Sequence, residues 1–274
     1  MSEETVLITG CSSGIGRATA EAFADSNWLV YATSRNTDDI ADLAEQGCET
    51  ASLDVTEAAE VERVVDRIEA DTGRVDCLVN NAGYGQYGPL EDIPTERLHR
   101  QFEVNVYGPH RLTRAVLPLM RDREAGTIVN VSSVLGRVSV PGSGAYAASK
   151  FALEAMSDAL RAEVDRFDVD VVLVEPGLVD TGFENRMADE LDGLARSDAY
   201  GWLYDTIEEF QMTADALPFR SDPALVGTTI HDIACMTDPD PRYPVGPSGT
   251  VLLYSRFLPD RLRDAAVRLV RTVT

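Results

Sequence analysis

The chain has almost no lysine. Of its 24 basic residues 23 are arginine, and Lys150 stands alone. Cysteine is scarce as well: Cys11, Cys48, Cys77 and Cys235 lie far apart in no metal-ligand spacing, and His99, His110 and His231 form no cluster with them. Neither a disulfide framework nor a metal site is therefore expected. No apolar run has the length that a bilayer crossing needs, so no membrane insertion is expected. The acidic start, Met1-Ser2-Glu3-Glu4, lacks the pattern of a secretory leader, which gives the expectation of a cytoplasmic location with free thiols. Positive charge is short overall, since 46 acidic against 24 basic side chains give −22. Such a surface repels nucleic acid and anionic lipid.

The same charge repels itself at low ionic strength. In molar salt the Debye length shrinks to about 3 Å and most of that repulsion is screened. A cytoplasm of high salt is therefore the expected setting. A GC-rich genome would account for arginine in place of lysine, but not for the acidic excess.

What remains points to one large α/β domain over residues 1–274, long enough and, at 44% hydrophobic residues, apolar enough to bury a full core. Val6-Leu7-Ile8 leads into Thr9-Gly10-Cys11-Ser12-Ser13-Gly14-Ile15-Gly16, and a stretch of high helix propensity follows. Strand, glycine-rich turn and helix is the arrangement that sets backbone N–H groups and a helix N-terminus against a pyrophosphate. The spacing is G-x-x-x-G-x-G, neither the G-x-G-x-x-G fingerprint nor a P-loop. A second strand, Trp28 to Thr33, is followed by Ser34-Arg35-Asn36. At this point an NAD-selective site would carry a carboxylate, whereas Arg35 offers a fork for a 2′-phosphate. Asp38 and Asp39 lie further on and have the look of helix N-terminal residues.

Further strands are expected at Thr50 to Leu53, ending in Asp54-Val55-Thr56; at Cys77 to Val79, closed by Asn80-Asn81-Ala82-Gly83; at Thr127 to Val131, followed by Ser132-Ser133; and at Val169 to Val174. Helices alternate with them, one of them at Glu57 to Asp71. The alternation predicts right-handed βαβ crossovers and a doubly wound parallel sheet of about seven strands, with ligands at the carboxyl ends. One long helical region, Thr95 to Met120, contains Asn105 and Gly108, poor choices for a helix interior.

The lone lysine lies in Ala145-Tyr146-Ala147-Ala148-Ser149-Lys150-Phe151. On a helix, residues four apart share a face, so Tyr146 and Lys150 come together. A guanidinium cannot be deprotonated, whereas an ammonium has a movable pKa, which gives a reason for keeping lysine here. A neighbouring cation favours phenolate, and a shift of two or three units would bring Tyr146 near working pH, where general acid–base transfer is efficient.

With Thr9-Gly10-x-x-x-Gly14-Ile15-Gly16, Asn80-Asn81-Ala82-Gly83, Ser133, Tyr146-x-x-x-Lys150 and Pro176-Gly177 in order, the chain resembles the short-chain dehydrogenase/reductase family, most of all its hydroxysteroid and retinol dehydrogenase branch. The resemblance implies a Rossmann-type fold and roles for matching positions. Tyr146 would be the general acid or base, Ser133 would hydrogen-bond the substrate oxygen, Lys150 would hold the nicotinamide ribose, and Asn105 would anchor a water chain behind it. In the cofactor site, Gly10, Ser12, Ser13, Gly14, Ile15 and Gly16 would form the phosphate turn. Arg35 would select NADP(H) over NAD(H), Asp54 and Val55 would meet the adenine, and Asn81, Ala82 and Gly83 the adenosine side. Val179 and Thr181 would meet the nicotinamide carboxamide, and Pro176 and Gly177 would also belong to the cofactor site. The resemblance also implies a homodimer or homotetramer.

Residues 182–220 show no strand pattern and include Phe183, Met187, Leu191, Leu194, Tyr200, Trp202, Tyr204, Phe210 and Met212. They are expected either to form a lid over an apolar substrate or to pack two helices onto the domain. Tyr84, Gln86, Tyr87 and Val140 are further candidates for the pocket wall. Ser221-Asp222-Pro223 reads as a helix start and Tyr243-Pro244-Val245 as a last strand. Residues 250–274 are expected to form a basic helical extension, with five arginines against Asp260 and Asp264, suited to docking on an acidic neighbour more than to lying on a membrane. The function expected is NADP(H)-dependent transfer of hydride to or from a small apolar ketone, aldehyde or secondary alcohol. The alternative is a dinucleotide-sensing regulator on the same fold.

Overall fold

The computed structural model describes residues 4–214 and 220–247, and from 255 onward only 255–257, 259, 261, 262, 264 and 265. Most of the basic extension at 250–274 thus lies outside the described residues.

Seven parallel strands form one sheet: β1 (Thr5–Thr9), β2 (Leu29–Ser34), β3 (Glu49–Ser52), β4 (Cys77–Asn80), β5 (Gly126–Val131), β6 (Val169–Pro176) and β7 (Arg242–Val245). Their order is β3-β2-β1-β4-β5-β6-β7. The order reverses beside β1, and ligands collect at such a switch point, at the carboxyl ends of the strands. The central strands β1 and β4 are buried along their whole length, as helices on both faces demand.

The helices are α1 (Gly14–Ala24), α2 (Ala41–Glu45), α3 (Ala58–Thr72), α4 (Thr95–Phe102), α5 (Gly108–Arg123), α6 (Gly144–Val164), α7 (Phe183–Asp192), α8 (Gly201–Ala214) and α9 (Pro223–Ala234). One face of the sheet packs with α1 and α9 through Phe23, Val226 and Ile230; the other packs with α3 and α5 through Val64, Ile68, Leu112 and Met120. The stripe Val61, Val64, Val65 and Ile68 expected on α3 is the buried one. At the start of α9, Asp222 is the cap: its carboxylate accepts from the Ala224 N–H at 2.8 Å, and Pro223 opens the first turn.

The long helical region from Thr95 is not one regular helix. A single π turn over Glu103–Tyr107 separates α4 from α5, and Asn105 lies inside it. A π turn turns side chains out of regular register and is frequent at functional sites. Gly108 follows because a Cβ there would come within 2.8 Å of the Val55 side chain.

Between 182 and 214 two helices pack onto the domain, the second of the two expectations for the segment. Its two ends are tied by a parallel bridge between Val179 and Ser221, with the Asp180 N–H donating to Ser221 O at 3.0 Å. Leu191, Leu194, Leu203, Tyr204 and Ile207 bury themselves with Ile93 and Ala145 in a third core. The Tyr204 hydroxyl donates to Asp92 at 2.8 Å, and Arg97 donates to Glu190 O at 2.8 Å and Gly193 O at 2.6 Å. Phe183, Met187, Trp202 and Phe210 instead line the cleft described next. Met212 does neither and is 77% exposed.

Candidate active site

The carboxyl ends of β1, β2, β4, β5 and β6 open into one cleft of about 1680 Å³. One end holds the glycine turn. Gly10 and Gly14 have φ of 75° and 57°, in the left-handed region that favours glycine. Gly16 is needed for a different reason, since a Cβ there would drive into Gly10 O and the Asn81 amide. Asn81 clamps the turn from β4: its Nδ2 donates to Thr9 O at 2.9 Å and Gly10 O at 3.2 Å, while the Asn81 and Ala82 N–H groups donate to Thr9 Oγ1 at 3.1 and 3.0 Å. The sequence reading left Thr9 without this role.

The turn delivers the N-terminus of α1 into the cleft with no side-chain cap and no acid in its first turn. Orphan N–H groups and the positive end of the helix dipole thus face the cavity, which is the donor set a phosphate group requires. Arg35, Asp54 and Val55 line the cleft on one side of the turn, and Asn81, Ala82 and Gly83 continue it. The Asp54 carboxylate accepts from the Thr56 N–H at 2.9 Å and hydroxyl at 2.8 Å. Asp38 and Asp39 belong to a short 3-10 turn capped by Asn36 and lie outside the cleft wall, so the only charged side chain at the end of β2 that lines it is cationic.

Ser133, Tyr146 and Lys150 meet near the middle. Ser133 extends from β5 and opens a 3-10 turn, its Oγ accepting from the Leu135 N–H at 3.1 Å. Tyr146 and Lys150 lie one turn apart on α6, both buried, with Nζ 5.8 Å from the centre of the phenol ring. Lys150 Nζ donates to Val131 O at 2.8 Å. From the π turn, Asn105 Nδ2 donates to Tyr84 O at 2.9 Å and Ser149 Oγ at 3.1 Å, while its Oδ1 accepts from the Tyr84 N–H at 3.2 Å. The polar break in that helix therefore fastens the loop after β4 to the helix that carries Lys150.

Burial dominates the protonation of this group. It pushes Tyr146 up to about 12, opposed by the Ser133 hydroxyl. The expectation that Lys150 draws the phenol toward neutral pH is not met, because the ammonium bonds a backbone carbonyl and desolvation of a phenolate outweighs it. Burial also brings Lys150 down to about 8, with Glu154 one turn further along α6 acting to raise it. Beneath them lies a charged layer that sequence reasoning missed: Glu175 is paired with Arg137 at 2.9 Å and Arg242 at 3.3 Å, and Arg242 also reaches Glu154 at 3.2 Å. Four scattered charges gave no local signal of this cluster.

The far end is apolar. Tyr146 is stacked on Tyr87 with centroids 5.6 Å apart and tilted against Phe183 at 5.5 Å. Tyr84, Val140, Met187, Trp202, Ile207 and Phe210 continue the wall. Gln86 does not belong to it: the residue is fully buried, its N–H donating to Gln101 and its Nε2 to Tyr87 O at 3.0 Å. Pro176, Gly177, Val179 and Thr181 complete the cleft at the end of β6, and Arg186, unremarked in the sequence, reaches it from α7. No group of three or more metal-binding side chains occurs among the described residues.

The family model for short chain dehydrogenase matches residues 4–192. A 3-ketodihydrosphingosine reductase from Bacteroides thetaiotaomicron is 36% identical over 274 residues, covering 98% of either chain. An NADPH-dependent 3-dehydrocapnine reductase from Ornithobacterium rhinotracheale is 32% identical over 282 residues, covering 94% of each. The crystal structure of a short-chain dehydrogenase from Streptomyces avermitilis superposes with a TM-score of 0.82 at 34% identity, covering 100% of this chain and 98% of that one. The sheet order, the cleft and these matches agree: this chain belongs to the short-chain dehydrogenase family and is an oxidoreductase of that fold.

Proposed function

We propose that the protein is an NADP(H)-dependent oxidoreductase that transfers hydride between the nicotinamide and the carbonyl or alcohol carbon of an apolar ketone, aldehyde or secondary alcohol. The observation that carries this reading is a single cleft joining the uncapped start of α1 to Ser133, Tyr146 and Lys150 and then to an aromatic wall. The bound dinucleotide supplies the hydride. The chain's own residues bind, orient and move a proton. Gly10, Ser12, Ser13, Gly14, Ile15 and Gly16 cradle the pyrophosphate, and Arg35 takes the 2′-phosphate. Asp54 and Val55 face the adenine, Asn81 to Gly83 the adenosine side, and Pro176, Gly177, Val179 and Thr181 the nicotinamide.

Ser133 and Tyr146 converge on the substrate oxygen. A phenol raised to about 12 holds its proton throughout the neutral range and releases it only to a stronger base, the oxygen that gains charge during carbonyl reduction. Lys150, near 8, is mainly cationic at neutral pH; it holds the nicotinamide ribose and favours negative charge beside it. Asn105 secures the loop behind this pair. The NADPH dependence named for the 3-dehydrocapnine reductase supports the cofactor, and the keto substrate named for the 3-ketodihydrosphingosine reductase supports the reductive direction.

The test is a panel of ketones, aldehydes and secondary alcohols assayed with NADPH and NADH in molar KCl. Turnover of apolar ketones with NADPH is expected. Preference for NADH would remove the role given to Arg35, and NADPH binding without any turnover would favour the sensing role instead.

A further inference from the structure

We propose that Arg186 of α7 is a ligand of the dinucleotide's diphosphate, so that the helix covering the substrate is fastened through the cofactor. This inference rests on the dinucleotide reading of the cleft.

Ser13 is the N-cap residue of α1, yet its side chain caps nothing. Its Oγ instead accepts a hydrogen bond from Arg186 Nη2 at 3.0 Å, across 173 positions of sequence. The side chain that ordinarily satisfies the N–H groups of the first turn is thus turned toward a guanidinium, and those N–H groups are left facing the cleft. Thr181, at the base of the same segment, approaches the turn from the same side, since a Cβ on Gly14 would lie 2.9 Å from its Cγ2.

Charge points the same way. A diphosphate brings negative charge into a protein of −22, and a helix N-terminus supplies only about half a unit of positive charge. Four cations line the cleft: Arg35, Arg100, Lys150 and Arg186. Arg35 follows β2, Arg100 lies on α4 where it acts on Tyr84, and Lys150 is bonded to Val131 O beside Tyr146. Arg17, on α1 itself, is turned away to Asp42 and to Asp39 O, the latter at 2.7 Å. Arg186 alone of these is bonded to the phosphate turn. It is exposed and, among the described residues, forms no ion pair, so its charge is available. A planar fork matches paired phosphate oxygens better than an ammonium does.

The experiment measures dissociation constants of NADPH and NADH for the full chain and for Arg186→Ala, Arg186→Lys and Arg35→Ala, from nucleotide fluorescence. Amide hydrogen exchange over residues 183–192 is followed with and without NADPH. Arg186→Ala is expected to weaken both dinucleotides by the same factor, about tenfold, with Arg186→Lys between; Arg35→Ala is expected to weaken NADPH alone. NADPH should slow exchange in α7 of the unaltered chain and no longer do so in Arg186→Ala. Unchanged constants in Arg186→Ala, or a loss confined to NADPH, overturn the diphosphate assignment while the dinucleotide reading stands. Failure of the unaltered chain to bind either dinucleotide overturns the underlying reading, and this one with it.

Discussion

The two ends of the cleft are built from different materials. At the glycine turn the wall is backbone: N–H groups of an uncapped helix, carbonyls clamped by Asn81, and a glycine at 16 where no side chain fits. At the apolar end, the proposed substrate end, the wall is side chain, with Tyr87 on the loop after β4 and Phe183, Met187, Trp202 and Phe210 on two helices of the segment closed by the Val179–Ser221 bridge. Backbone placed by a buried parallel sheet is insensitive to most substitutions but intolerant of a few. Aromatic side chains on a surface segment tolerate exchange at a graded cost, which suits an element that sets specificity. Tyr146 and Lys150 lie at the junction, with properties set by burial from both directions.

The largest break is expected at that junction. Lys150→Arg keeps the charge but cannot fit a fork where one Nζ meets Val131 O, and kcat for ketone reduction should fall about a hundredfold or more. The two proteins should also differ in pH profile. In the unaltered enzyme reduction declines as pH rises through about 8, because Lys150 loses its proton there. Arginine stays charged, so the variant should lack that decline. Near-normal turnover in the variant would show that the single lysine has no chemical reason.

A smaller effect is expected at the backbone end. Gly16→Ala places a methyl group against Gly10 O and the Asn81 amide, so the turn must shift. A loss of about 1–3 kcal/mol of stability is expected from the overpacking, together with weaker binding of NADPH and NADH alike. Urea denaturation and nucleotide titration check it, and an unperturbed variant would mean that the turn has slack.

The smallest effect is expected on α8. Phe210, at 42% exposure, lines the cleft without joining the third core. Phe210→Ala should raise KM for bulky apolar ketones a few fold, by about 1 kcal/mol or less, and leave stability and NADPH binding unchanged. An equal change in KM for small and large ketones would sever the link between this wall and substrate size.

Much of the sheet was legible because strands and helices alternate with a clear period and each strand ends in a small or polar cluster. Edges moved by a residue or two, as where the third strand begins at Glu49. Gln86 was misplaced because a polar residue between two tyrosines reads as a wall residue, and only the buried Gln101 across the loop claims it. The long helix hid a π turn, since sequence shows that Asn105 is out of place but not what geometry absorbs it.

By itself the sequence determined the order of elements, the glycine turn, the Tyr146–Lys150 spacing and a reason for the one lysine, because each depends on neighbours within a few positions. Only the tertiary structure decided how those groups behave. Burial, which is a property of the assembled core, raises Tyr146 and lowers Lys150 where a neighbouring charge alone would have lowered the phenol. Contacts across the chain likewise bring Arg186 to Ser13 and stack the charged pairs of Arg137, Glu154, Glu175 and Arg242 beneath the site. Local spacing fixes what a residue is beside on its own helix, and packing fixes how much water it keeps.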